Sequence, residues 1–196
     1  MKTKNFLLIA AFIICGLVCV NSVNGQTPPT QTADEVTVNI RFKQIQSIVV
    51  NPAEEHQTVN LDYFTLQNYQ EGVSVTKNDH LTVFSSGGFQ VKVKAESPAF
   101  TRMGGSETIQ LSDMVIQASN GSGNDKTYGD GGLPLVNLST GEQSLIGSST
   151  GGGNLNFNIT YDNTVAGNEF KYINNHVRPE ETSVYTATVT YSIVAI

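Results

Sequence analysis

The chain has 196 residues, a formal net charge of −6 at neutral pH, and only two cysteines and three histidines. An acidic chain of this kind repels phosphate backbones and anionic lipid surfaces, so we expect no nucleic-acid partner. The length favours a single domain.

The first 25 residues have the order of a secretory signal peptide. Lys2 and Lys4 precede an uncharged apolar run from Phe6 to Val20, and a short segment of polar and small residues ends at Gly25. We expect cleavage after Gly25. The apolar run is shorter than the ~20 residues that a membrane-spanning helix needs. The sequence therefore predicts a processed chain with no stable membrane span.

Processing would also remove both cysteines, Cys15 and Cys19, because they lie inside the predicted signal peptide. Loss of Lys2 and Lys4 would lower the formal charge from −6 to −8. An exported chain without disulfides has to be stabilised by its hydrophobic core. We expect a disulfide-free, acidic protein that is secreted, periplasmic or on the cell surface.

The predicted mature chain begins with a polar segment, residues 26–35, which contains Pro28 and Pro29. We interpret it as a flexible N-terminal arm. Residues 36–196 are then predicted to form one β-domain. Its opening residues alternate apolar with polar side chains, which is typical of a strand with one buried face. The apolar positions are Val36, Val38, Ile40 and Phe42.

Further alternating runs follow at short spacing, and no run shows the stripe of an amphipathic helix. The predicted strands are Val59–Tyr63, Leu81–Val83, Phe89–Ala95, Leu155–Tyr161 and Tyr185–Ala195. Residues 109–118 are less regular and fit either a strand or one helical turn. Residues 119–153 are rich in glycine and predict long loops around a weak strand at Leu133–Leu138. Many short strands between turns indicate an all-β, antiparallel two-sheet fold.

A hydrolase-like motif and three histidines are the candidate catalytic features of the sequence. Residues 147–151 match G-x-S-x-G, but that chemistry needs a helix after the serine, and glycines follow here. His56, His80 and His176 are too widely spaced for an evident zinc site, and each is expected to be a surface or hydrogen-bonded residue. We predict no catalytic residue, no metal, no cofactor and no enzymatic activity.

Two further binding features are weak. Asn124, Asp125 and Asp130 lie among glycines, but their spacing fits neither the EF-hand nor the glycine-rich calcium repeat, which favours a flexible loop. Tyr128 and Tyr172 are candidates for an exposed aromatic surface that binds a glycan. Core or turn positions are favoured for both tyrosines.

The closing strand carries a family resemblance. The sequence Tyr-Thr-Ala-Thr-Val-Thr-Tyr at residues 185–191 resembles the end of exported bacterial Ig-like β-sandwich proteins, such as spore-coat-U-type proteins and chaperone–usher fimbrial subunits. The resemblance covers about the last dozen residues and the general strand plan. The chain differs from many of these subunits in lacking their disulfide.

The resemblance implies an Ig-like antiparallel β-sandwich in a non-enzymatic surface or fimbria-like protein with a structural or adhesive role. In such subunits a neighbour's N-terminal strand completes the sheet by β-strand addition. The donor residues would be Val36, Val38, Ile40 and Phe42, and the partners would be further copies or other envelope and fimbrial proteins. In the alternative interpretation this strand pairs within its own domain.

A second function remains open from the sequence. A soluble, secreted β-domain that binds a carbohydrate or small ligand would use the loops of residues 119–153, because loops held on a rigid sandwich commonly carry binding sites. A glycan is the partner expected in that case.

Overall fold

The computed structural model describes residues 33–129, 132–178 and 182–196. The predicted signal peptide and residues 26–32 of the predicted arm lie outside the described residues. The chain divides into two units, with the boundary between Arg41 and Phe42. Residues 33–41 of the first unit contain neither helix nor strand and are exposed. The helices and strands described below all belong to the second unit.

The second unit is built from strands with few helical segments. In chain order these are β1 (Gln46–Val50), α1 (Glu54–Gln57), α2 (Leu66–Glu71), β2 (Ser74–Ser85), β3 (Phe89–Ala95), β4 (Ala99–Thr101), β5 (Thr108–Gln110), a 3₁₀ turn (Leu111–Asp113), β6 (Val115–Asn120), β7 (Leu135–Asn137), β8 (Gln143–Ser148), β9 (Gly152–Asp162) and β10 (Val189–Ala195).

The strands form three antiparallel sheets. Five strands pair in the order β1-β2-β9-β6-β7, three pair in the order β10-β3-β8, and β4 pairs with β5. The chain alternates between the two larger sheets: β1 and β2 lie in the five-stranded sheet, β3 in the three-stranded sheet, β6 and β7 in the five-stranded sheet, β8 in the three-stranded sheet, β9 in the five-stranded sheet and β10 in the three-stranded sheet. The prediction of an all-β, antiparallel fold is confirmed.

Both larger sheets contribute to one hydrophobic core. In β3, Phe89, Val91 and Val93 are fully buried, whereas Gln90 and Lys92 between them are only half-buried. The ring of Phe89 meets that of Phe157 on β9 edge to face, with centroids 6.4 Å apart. Full burial of such a side chain stabilises the fold by about 1.5–3 kcal/mol. The core is therefore held by apolar contacts between the sheets, as the two-residue period predicts.

Two strand predictions in this unit need correction. Val59–Tyr63 is not a strand, although Val59 and Leu61 pack half-buried against the core. The closing strand begins at Val189 rather than Tyr185, and only an isolated bridge between Thr186 and Thr101 precedes it. Both segments alternate correctly but lack a neighbouring strand over their length, and alternation alone cannot supply a hydrogen-bonded partner.

The sequence fits either a strand or a helical turn at residues 109–118, and the structure contains both. The end of β5 is followed by the 3₁₀ turn and then by the start of β6. Helix α2 was not predicted. Its start carries a local signal, because the Thr65 side chain accepts from the backbone N–H of Asn68 and the Asn68 side chain accepts from that of Thr65. This reciprocal cap satisfies two of the free N–H groups at the helix start.

Candidate functional site

The residues named as strand donors lie in an unpaired, exposed segment. Residues 33–45 contain no strand, and the side chains of Val36, Val38, Ile40 and Phe42 are 85%, 80%, 77% and 92% exposed. The predicted strand with a buried face is therefore wrong for the single chain. The alternation has no sheet to pack on here, because no described strand pairs with this segment. The hypothesis that these residues complete another sheet stays a prediction.

Strand β10 is an edge of the three-stranded sheet. It pairs only with β3 among the described strands. The carbonyl of Thr188 and the N–H of Ile196 bond to the β3 side, at Glu96 and Gly88. Because backbone groups alternate along an antiparallel strand, those of Val189 and the odd-numbered residues after it point to the open side. β10 thus presents a row of unpaired donors and acceptors.

The inner face of β10 is incompletely covered. Tyr191 lies opposite Val93 and Ile193 opposite Val91 in the register of the pair. Both valines are fully buried, yet Tyr191 and Ile193 are half-buried. The core is therefore closed at β3 and open along β10. A further strand beside β10 would cover this apolar border.

A second open border lies along β1, which pairs only with β2 among the described strands. Ile48 and Val50 pack half-buried against the core from this edge. Exposed sheet edges of this kind are templates for pairing with another chain unless something covers them. Among the described strands, β1 and β10 lie close to each other, but neither has a second hydrogen-bonded neighbour at its outer edge.

A buried polar chain reaches from α1 to β10. The Nδ1 atoms of His56 and His80 lie 3.2 Å apart, His80 Nε2 lies 2.9 Å from the Tyr161 hydroxyl, and that hydroxyl lies 2.7 Å from the hydroxyl of Tyr191. His80 is only 2% exposed. Burial, helped by the nearby His56 and Lys77, lowers the pKa of His80 to about 4. The imidazole is therefore neutral at pH 7.

The two tyrosines of this hydrogen-bonded series, Tyr161 and Tyr191, also stay protonated at neutral pH. Burial raises the pKa of Tyr161 to about 12, and burial of the Tyr191 hydroxyl raises the pKa of Tyr191 well above its ordinary value. His80, Tyr161 and Tyr191 are therefore not poised to exchange a proton near neutral pH. The arrangement is a hydrogen-bonded link between the two larger sheets rather than an acid–base pair.

Sequence analysis predicted hydrogen-bonded histidines but missed that two of them meet. A register shift in the β2–β9 pair, between Lys77 and Leu81, contains Asp79 in a left-handed conformation at φ 50°. This irregularity directly precedes His80. Asn51, which follows β1, donates from its side chain to the carbonyl of Asp79 and from its backbone N–H to the carbonyl of His80. A bulge of this kind re-aims the adjacent side chain. No spacing rule in the sequence specifies it.

The long-loop region uses its polar side chains internally. The Asn124 side chain pairs with the backbone of Asn156 on β9, and Asp125 accepts from the Tyr128 hydroxyl at 2.7 Å. Asp130 lies outside the described residues. Tyr128 and Tyr172 are both buried, in line with the core roles that were favoured. A cavity of about 230 Å³ beside Asn124 is walled mainly by these loop residues.

The G-x-S-x-G sequence occupies the crossing from β8 to β9. Gly147 and Ser148 end β8, and Gly152 begins β9, so a strand rather than a helix follows the central serine. Among the described residues, no three His, Cys, Asp or Glu side chains are grouped to hold a metal ion. The same part of the chain has no helix that is both long and apolar enough to cross a membrane.

Comparison with known proteins adds no relative: no protein-family model matches the chain, and no curated protein sequence matches it significantly. The candidate site therefore rests on geometry. Two separate surfaces are candidates: the open edge of β10, named here the acceptor edge, and the exposed alternating residues 36–42, named the donor segment.

Proposed function

We propose that this protein is an exported, non-enzymatic structural subunit of a surface assembly, and that copies join by β-strand addition. The donor segment of one copy pairs along the acceptor edge of the next. One observation carries the proposal: an exposed alternating segment and an unpaired, half-covered strand edge occur in the same chain. An exposed sheet edge or an exposed apolar segment alone favours aggregation, whereas the two together can pair with each other by β-strand addition.

The strand plan supports an Ig-like domain of this type. Sheet order β1-β2-β9-β6 corresponds to strands A-B-E-D of that fold, and β10-β3 corresponds to F-C. In an Ig domain strand F pairs with both C and G. Among the described strands none pairs with β10 in the position of G, and β1 of the other sheet lies close to β10 without pairing with it. This is the position that a donor strand occupies.

The two partners also match in length and chemistry. The donor segment has seven residues, Val36 to Phe42, and β10 has seven, Val189 to Ala195. The backbone ladder would supply part of the affinity, and alternate side chains would be buried against the open core. Ile193 and Tyr191 supply apolar surface there.

The test compares two double substitutions in the donor segment that add the same charge on opposite faces. V38D/I40D places carboxylates on the apolar face, and T37D/N39D places them on the polar face. We expect the first to remain monomeric and the second to assemble like the parent chain, as measured by light scattering and by electron microscopy of purified mature protein. A parent chain that stays a monodisperse monomer at high concentration would contradict the proposal.

A further inference from the structure

An aromatic cleft lies away from the loops that the sequence suggested for ligand binding. It is defined here by Tyr63, Tyr69, Phe100, Tyr172, His176 and Tyr185, and it has a volume of about 370 Å³. Ligand pockets in proteins commonly measure about 300–1,000 Å³ and combine apolar walls with a few placed polar groups. The cleft meets both conditions.

The rings form a continuous chain. The centroid of Tyr63 lies 5.4 Å from that of Tyr69 and 5.5 Å from that of Tyr172, and His176 lies 5.4 Å from Tyr172 and 5.3 Å from Tyr185. Apart from Tyr172, these side chains are half-buried and keep accessible surface. The rings brace one another and leave apolar surface facing the cleft.

A polar network fixes the floor. The Tyr172 hydroxyl donates to Asp113 at 2.9 Å, and the Asn163 amide donates to the carbonyl of Asp113 at 2.9 Å and to the Tyr172 hydroxyl at 3.1 Å. Lys171 neutralises the Asp113 carboxylate at 2.7 Å. Tyr63 donates to the side chain of Asn163. The floor is preorganised, because its polar groups are already paired.

Two polar atoms on the cleft wall differ from those of the floor in their hydrogen bonding. Nδ1 of His176 and Oγ of Ser183 are buried and have no hydrogen-bond partner within the described part of the chain, and both residues line the cleft. The other ring nitrogen of His176 is used, at 3.3 Å from the carbonyl of Thr108. Buried polar atoms without partners are uncommon in folded proteins and are costly. A ligand with hydroxyl groups would satisfy them.

The charge of the lining narrows the ligand class. The described residues around the cleft include one carboxylate, Asp62, and neither lysine nor arginine. The guanidinium of Arg102 bonds to Tyr185 on the cleft wall, but it also pairs with a carboxylate at 3.4 Å, so an anionic ligand would have to compete with that carboxylate. A quaternary ammonium would gain from the aromatic rings, but it has no hydroxyl on its charged group for Nδ1 of His176 or Oγ of Ser183. A neutral pyranose offers both an apolar ring face and hydroxyl groups.

We propose that the aromatic cleft binds a neutral pyranose sugar, which would give the subunit an adhesive activity separate from its assembly. The apolar face of the sugar packs on the tyrosine rings, and its hydroxyls pair with His176 Nδ1 and Ser183 Oγ. The site uses neither the donor segment nor the acceptor edge, so the two proposals stand or fall independently.

The experiment is saturation-transfer difference NMR on purified mature protein with glucose, galactose, mannose, N-acetylglucosamine, glucuronate and choline. We expect transfer to at least one neutral sugar and none to glucuronate. For a sugar that binds, S183A and H176F should each weaken affinity about five- to tenfold, the usual effect of losing one hydrogen bond. H176F keeps an aromatic ring against Tyr172 and Tyr185.

The matched control is S139A, which removes a serine hydroxyl outside the cleft and should leave the affinity unchanged. V38D/I40D should also bind the sugar normally while failing to assemble, which separates this proposal from the proposed function. Absence of transfer to every neutral sugar, transfer to choline alone, or equal binding by S183A, H176F and S139A would each overturn the assignment.

Discussion

At the scale of single residues, His80 gives the clearest expected effect of pH. Its pKa falls from an ordinary value of about 6.5 in the unfolded chain to about 4 in the fold. The unfolded state therefore binds a proton more readily, and folding stability contributed by the neutral imidazole is complete above about pH 6.5 and lost as the pH falls towards 4. At 1.36 kcal/mol per unit, the loss is roughly 3 kcal/mol.

The measurement is the free energy of unfolding by denaturant at several values between pH 7 and pH 4. H80Q keeps a polar side chain near Tyr161 but cannot titrate, so its stability should fall less steeply over this interval than that of the parent. Equal slopes for H80Q and the parent would show that His80 does not carry the effect.

At the scale of elements, the open acceptor edge predicts unequal costs for the same substitution. Val93 on β3 is fully buried, whereas Val189 at the start of β10 is half-buried. V93A should lower the free energy of unfolding by about 1.5–3 kcal/mol, because it removes buried methyl groups and leaves a cavity. V189A should cost less than half as much, since part of the side chain already contacts water.

These costs are best measured in the V38D/I40D background, so that assembly does not add to stability. V93A and V189A are a matched pair, because both replace a valine by an alanine and differ only in the position of the residue. Costs of equal size would mean that the inner face of β10 is as well covered as that of β3. The acceptor edge would then lack the apolar border on which strand addition depends.

Hydrophobic alternation predicted a strand correctly where a neighbouring strand is present and wrongly where none is. Phe89–Ala95 and Leu155–Tyr161 were correctly predicted as strands, because each lies inside a sheet and buries every second residue. Val36–Phe42 has an equally clear alternation and is exposed coil. Periodicity reports the capacity of a segment to pack on one face, and it does not say which chain supplies the neighbour.

The sites were harder to predict than the strands because they join segments that are distant in sequence. Ser183 and His176 meet residues near Tyr63 in the cleft, more than a hundred positions away. His56 and His80 are brought together by the pairing of β1 with β2 and by the bulge at Asp79. The donor residues were visible in the sequence because they are contiguous, whereas the acceptor edge depends on sheet order.

At the scale of the whole molecule, the division of the chain at Arg41 and Phe42 predicts that folding and assembly are separable. Deleting residues 26–42 removes the described residues 33–42, which are exposed and contain no strand and no member of the core. The shortened chain should keep the circular dichroism spectrum of a β-protein and a melting temperature within a few degrees of the non-assembling V38D/I40D variant, while losing assembly altogether. If residues 36–42 instead formed a core strand of their own domain, the deletion would unfold it, because losing several buried side chains exceeds the 5–15 kcal/mol that stabilises a typical domain.

Adding back a synthetic peptide of residues 33–43 then tests the acceptor edge directly. The peptide should bind the shortened chain and raise its melting temperature with increasing peptide concentration, as any ligand specific to the folded state does. A peptide with aspartate at positions 38 and 40 should not, and stabilisation by both peptides alike would show that contact with β10 does not depend on the apolar face.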